Sequence, residues 1–273
     1  MVTQDALLRH RLRRRYGTAE AIADELRGEI LRGEIGEGLL LPKLDELTER
    51  FRAGKVTVRE ALRILETEGL LTVQRGNIGG AVAHLPTSGS VAYTLSLVFE
   101  ASEVTVEEVA GSVERLEPIC AELCAARADR AQAVLPLLDA AQQRLADCIA
   151  RDDRDGAARA ARDWHSAIVG ECGNRATSIA VGAMQAIWVS HVESITERAG
   201  SAGDQMSDAA LRQTFSEHAE IRRLIEIGDV ESVGSKMRAH MTVAQPGVAI
   251  VTYPGDIDRS RIHVERTRAR LAR

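Results

Sequence analysis

Three histidines, His165, His218 and His240, each fall on an apolar stripe of a segment with helical spacing. His165 shares its stripe with Ala161, Ile168 and Cys172, His218 with Phe215, Ile221 and Ile225, and His240 with Val233 and Met237. Residues three and four apart lie on one face of a helix, so each imidazole points toward an interior. A single histidine so placed is ordinarily a core residue satisfied by a hydrogen bond. Three from three helices converge on one bundle interior, and facing helices are how bundles build metal sites. Three imidazoles with water or a carboxylate as fourth donor give zinc-like or nickel-like coordination of a divalent metal. Asp163 stands two residues before His165, about 200° around the helix, and is a poor fourth ligand. His191 lies on a further stripe with Met184, Trp188 and Ile195. It is either a plain core histidine or, with Trp188, part of the wall of a ligand cavity. A three-histidine centre with an open position also fits a hydrolytic metalloenzyme. No Glu or Asp stands at a spacing that would make it the base.

A second group of reactive side chains is basic. The stretch 54–71 reads "GKVTVREALRILETEGLL". Val58, Ala61, Leu62 and Leu65 form a core-facing stripe. Lys55, Thr57, Arg59 and Arg63 are left for the outer side and leading end. Cations at a helix N-terminus oppose the macrodipole, at a cost of a few tenths of a kcal/mol each, and phosphate contacts would offset that cost. A solvated charged face is the plainer alternative, and the hairpin signal that follows argues against it. Leu71–Gln74 and Ala81–Ala83 are β-prone and flank a Gly-rich turn at 76–80, with Arg75 beside Gly76 at its tip.

The elements that must hold these groups are helical. The chain has 273 residues, 45% hydrophobic and 27% charged, with only 3% aromatic, so its cores are aliphatic. The fold class expected is mainly α: an N-terminal winged helix-turn-helix and a C-terminal antiparallel bundle of about seven helices. A basic arm occupies 1–17 and the winged helix-turn-helix 18–85. Thr18 caps its first helix, a second follows Pro42, "RAG" at 52–54 is the break, and Gly69 ends the third. "PTSGS" at 86–90 is the linker. Helices are expected at about 91–101, 105–128, 130–151, 155–172, 176–198, 207–227 and 229–243, within a domain at 91–245. A tail occupies 246–273.

Up to residue 85 the chain carries 14 basic and 13 acidic side chains, and beyond it 21 and 27. Only the front half has a balance that suits a polyanion. Cys120, Cys124, Cys148 and Cys172 form no Cys-x-x-Cys pair and read as reduced core thiols of a cytoplasmic protein. No apolar run follows Arg9–Arg15 as in a signal peptide, and no stretch approaches the roughly 18 apolar residues of a membrane span.

The segment 41–82 resembles the GntR-type winged helix. The match is carried by Leu41-Pro42, Val58-Arg59-Glu60-Ala61-Leu62, Leu65-Glu66, Glu68-Gly69-Leu70 and the glycines from Gly76 to Gly80. The resemblance implies a double-stranded DNA operator as partner. Arg59 would contact it, Lys55 and Thr57 would line the groove, and Arg75 with Gly76 would reach the minor groove. Lys43 and Arg63 complete the expected interface. Two departures bear on specificity. Gly54-Lys55 stands where the family has Ser or Thr followed by Arg, and lysine lacks the fork that reads guanine bidentately. Asp45 stands where the family has a base-contacting Arg, and would orient Lys43 or accept from a cytosine amine.

The back half resembles the FCD ligand-binding domain of FadR-like regulators, through "DWHSAIVGECGN" (163–174) and "SEHAEIRRLIEIGDVESVGSKMRAHM" (216–241). The resemblance implies a homodimeric, effector-responsive transcription regulator, a repressor, with a divalent metal on His165, His218 and His240. The family's carboxylate ligand, four residues before the first histidine, is replaced by Ala161. Its effector-binding arginine, four before Glu117, is replaced by Val113, with Arg115 displaced. The effector expected is a carboxylate or acyl compound touching His191, Trp188 and Arg115. A DNA-bound scaffold whose helical half only dimerises is the remaining alternative.

Overall fold

The computed structural model describes residues 18–73, 80–86, 88–199 and 207–244. The chain divides into two compact units between Thr87 and Ser88. The expected arm, the wing tip with Arg75 and Gly76, and the tail lie outside the described residues.

In the first unit, helix α1 (Thr18–Leu31) buries Ile22, Ala23, Leu26 and Ile30. Helix α2 (Leu44–Phe51) buries Leu47, and α3 (Lys55–Thr67) buries Val58, Ala61 and Leu65. Leu62, expected inside, is half-buried. The break between α2 and α3 is sharp because Arg52 takes a left-handed conformation, φ 49°. Gly69, at φ 79°, closes α3. Its N–H donates to Glu66 O and that of Leu70 to Leu65 O, a Schellman end that only glycine adopts without strain. Strands β1 (Leu71–Val73) and β2 (Ala81–Ala83) pair antiparallel, Leu71 opposite Ala83. The other edge of β2 is not bare: Gly38 and Leu41 donate to Ala83 O and Ala81 O, and Ala83 donates to Leu39 O. These are the three helices and wing expected from the sequence.

In the second unit, α4 (Ser88–Ala101) begins three residues earlier than expected, inside the stretch read as linker. Helix α5 (Val106–Ala126) starts at a capping box. Thr105 Oγ1 accepts from the Glu108 N–H at 3.2 Å, and Glu108 Oε2 from the Thr105 N–H at 2.8 Å. The single helix expected at 130–151 is two, α6 (Arg130–Ala133) and α7 (Leu135–Ala150). Pro136 is the cause: it has no N–H for Gln132 O and its ring crowds that carbonyl, so the chain restarts with Pro in the first turn. Then follow α8 (Arg154–Gly170), α9 (Arg175–Ala199), α10 (Asp208–Ile227) and α11 (Val230–Ala244). Helix α5 packs against α8, α9, α10 and α11. The main core of this unit gathers Leu138, Trp164, Ile168, Ile221, Ile225, Val233 and Met237. A smaller core joins α4, α5 and α9 through Ala92, Val109, Ile187 and Trp188. No helix among the described residues is long and apolar enough to cross a membrane.

Candidate metal centre and nucleic-acid interface

Helices α8, α10 and α11 bring His165, His218 and His240 together, all buried. Their Nε2 atoms form a triangle: 3.3 Å from His218 to His165, 3.2 Å from His218 to His240 and 3.2 Å from His240 to His165. Second partners fix the rings. His165 Nδ1 is hydrogen-bonded to Glu117 Oε1 of α5, and His240 Nδ1 to Glu217 Oε2 at 2.7 Å. His218 Nδ1 has no hydrogen-bond partner among the described residues; its ring stacks on Trp164, centroids 4.0 Å apart and 6° from parallel.

A carboxylate only accepts, so His165 and His240 carry their protons on Nδ1 and turn bare Nε2 lone pairs inward. At 3.2 Å those two lone pairs oppose one another, and one proton on His218 could satisfy only one of them. A cation relieves all three contacts at once. Ligand nitrogens around one tetrahedral zinc stand about 3.3 Å apart, from a Zn–N distance of about 2.0–2.1 Å. The donor set therefore fits a divalent metal in charge state and in spacing.

Burial, followed by the charges of His165 and His240, holds His218 well below the usual imidazole range. Burial, then His165, lowers His240 to about 4 against the pull of Glu217. Burial alone would raise Glu217, but hydrogen bonds from His240 and Gln213 keep it below the usual carboxylate range. Unfolded imidazoles take up protons below about pH 6.5, whereas His240 in the fold does so only near 4. The metal-free protein should keep this contribution above pH 6.5 and lose it as pH falls from there toward 4, by at most about 1.4 kcal/mol per pH unit per group. Thermal melts in chelator over that range will show the slope. His240→Gln should flatten it, and an unchanged slope would exclude a neutral His240.

Asp163 is exposed and paired with Arg144 at 3.2 Å, away from the triad. Arg115 is exposed and donates to its own helix at Gly111 O, 2.6 Å, so the structure does not bring it to the histidines. Trp188 and His191 are buried beside one another on α9, ring centroids 6.2 Å apart. Trp188 belongs to the α4–α5–α9 core. Sequence reasoning missed the ring-holding roles of Glu117 and Glu217. Glu117 left a trace, an acidic residue on a face otherwise made of Val113, Cys120, Ala121 and Cys124. All four cysteines are free and buried, as expected.

The other functional surface is the outer side of α3. Lys43, Lys55, Arg59 and Arg63 are exposed and Thr57 is half-buried. Lys55 Nζ is held by Asp45 Oδ1 across the α2–α3 turn at 2.6 Å, and this pairing holds the Asp45 carboxyl below its usual range. Asp45 thus orients Lys55, and Lys43 is not among its partners in the described residues. Arg63 pairs with Glu60 at 3.0 Å. Arg59 has no ion pair among the described residues and is free to reach outward. Val56, unremarked in the sequence, is 79% exposed on the leading turn of α3.

Residues 18–78 match the family described as bacterial regulatory proteins, gntR family, and residues 111–243 match the FCD domain. The chain belongs to the GntR family and carries an FCD domain. This is a family of transcription regulators, not of enzymes. Among curated relatives, the HTH-type transcriptional repressor NanR of Klebsiella aerogenes is 42% identical over 69 residues, covering 25% of this chain and 26% of that protein. NanR of Edwardsiella tarda is 38% identical over 79 residues, covering 28% and 30%. The matched stretch thus spans less than a third of those relatives. A solved structure, Streptococcus agalactiae GntR, aligns over 82% of this chain and 97% of its own, at TM-score 0.60 and 22% identity, which is a likeness of fold.

Proposed function

We propose that this GntR-family chain is a ligand-responsive repressor that binds a pseudo-palindromic operator as a homodimer in the cytoplasm, with a divalent metal, zinc or nickel, in its FCD domain. The observation that carries the reading is Arg59, exposed and without an ion pair among the described residues, on α3 of a GntR-type winged helix. The second helix of a helix-turn-helix enters the major groove with its leading residues against base edges. Arg59 reads a base there, Val56 covers a thymine methyl, and Lys43, Thr57 and Arg63 hold phosphates. Arg75 and Gly76 are assigned to the minor groove on the family resemblance alone.

The bundle is the sensor. His165, His218 and His240 hold the metal, and the absence of a carboxylate at Ala161 leaves its fourth donor to water or to a carboxylate or acyl effector. Trp188 and His191 are the side chains on α9 that would line the effector's cavity; Arg115 would have to leave Gly111 to join them. Effector binding then changes DNA affinity through the dimer, as linkage requires of any ligand with unequal affinity for two states. Fluorescence anisotropy on a bound duplex, with zinc present and carboxylates or acyl compounds added singly, tests this. At least one compound should release DNA about 5- to 150-fold. DNA affinity indifferent to every compound and to chelation would leave a scaffold.

Asp45→Arg should tighten DNA binding, since it frees Lys55 and adds a cation at the interface. Each new phosphate contact steepens the dependence of log K on log salt by about 0.9, so a dimer should gain about 2 to 4. An unchanged salt slope would place Asp45 away from DNA.

A further inference from the structure

We propose that Glu117 is a positioning residue of the metal centre, setting the tautomer of His165 and supplying inside the bundle the negative charge that Ala161 cannot. The inference rests on the three histidines binding metal, and it concerns a residue outside the ligand set. Glu117 is wholly buried, 0% exposed. Its neighbours on the same face of α5, Val113, Cys120, Ala121 and Cys124, are apolar or thiol and also buried. One carboxylate oxygen is hydrogen-bonded to His165 Nδ1. The other has no hydrogen-bond partner among the described residues. A buried carboxylate with a bare oxygen is costly to a fold, and a leucine would fill this position without that cost.

Loading the centre changes the balance. A dication on three neutral imidazoles brings two positive charges into the interior, where an uncompensated charge is strongly unfavourable. Glu117 and Glu217 return one negative charge each, through the rings of His165 and His240. The two are not equivalent. Glu217 also accepts from Gln213 at 3.0 Å and is partly exposed to water. Among the described residues Glu117 has only His165 as a hydrogen-bond partner. Carboxylates that hold the far nitrogen of a ligand histidine fix its orientation and raise its basicity, and losing one weakens metal binding about 10- to 100-fold.

Glu117→Gln keeps the shape and removes the charge, and so separates this role from packing. Zinc titration of the full-length variant should show affinity reduced about 10- to 100-fold, while in chelator the same variant should melt at or above the wild-type temperature. A merely structural residue would lower both. Nitrogen NMR of histidine-labelled wild type, metal-free, should find His165 with its proton on Nδ1, a measurement that needs no variant to fold. Zinc affinity of Glu117→Gln within twofold of wild type, or a proton on Nε2 of His165 in the wild type, would overturn the proposal. Wild-type protein that takes up no zinc at all would instead remove the metal centre itself, and this proposal with it.

Discussion

Arg59→Ala should abolish specific recognition of DNA while leaving the fold intact. A side chain reading a base edge contributes about 1–3 kcal/mol of discrimination, and a dimer uses it twice. The expected loss is therefore about 2–6 kcal/mol, roughly 30-fold to more than 10⁴-fold in affinity. Non-specific, salt-sensitive attraction should remain, because it comes from the other cations. Stability should move by no more than about 0.5 kcal/mol, since the side chain is exposed and makes no ion pair among the described residues. Arg63→Ala, tied to Glu60, should cost less. Anisotropy at physiological salt checks both. Near-normal specific affinity in Arg59→Ala would mean that α3 is not the recognition helix.

Loss of His218 should have an effect of similar size on the metal. Zinc bound at structural sites contributes about 10–16 kcal/mol, so each of three ligands accounts for about 3–5 kcal/mol, or about 10²- to 10⁴-fold. His218 is fully buried and stacked on Trp164. Its removal also disturbs packing, so metal-loaded and chelated forms of each variant must be compared. In wild type, free metal at a thousand times Kd stabilises by about 4 kcal/mol, and a chelator should lower Tm by about 8–16 °C for a domain of this size. Restoring a carboxylate with Ala161→Asp should tighten binding in the same titration. Equal uptake by wild type and His218→Ala would make the three histidines core residues.

What the sequence made legible followed periodicity. The stripes of α1, α3 and α10 repeat every three to four residues, so their buried faces, and His218 among them, could be read directly. The end of α3 was readable because Gly69 is the residue its left-handed position favours. Contacts between elements carry no such period. Nothing in the spacing joins Glu117 of α5 to His165 of α8, or aims Asp45 at Lys55 and away from Lys43. Those pairings depend on how helices cross. The break at Val134 is different in kind, for Pro136 was there to be weighed, and the apolar pattern running through it hid the missing N–H. The early start of α4 has a similar origin: Ser88, Gly89 and Ser90 look like linker by composition, yet they extend the helix that follows.

Selection of bound duplexes from a randomised pool by the full-length protein most directly tests DNA recognition by a dimeric regulator. Successive rounds with wild type should converge on a pseudo-palindrome of two half-sites about one or two helical turns apart, and Arg59→Ala should enrich nothing above the starting pool. A pool that stays random with wild type, or that converges on the same sequence with Arg59→Ala, would contradict it.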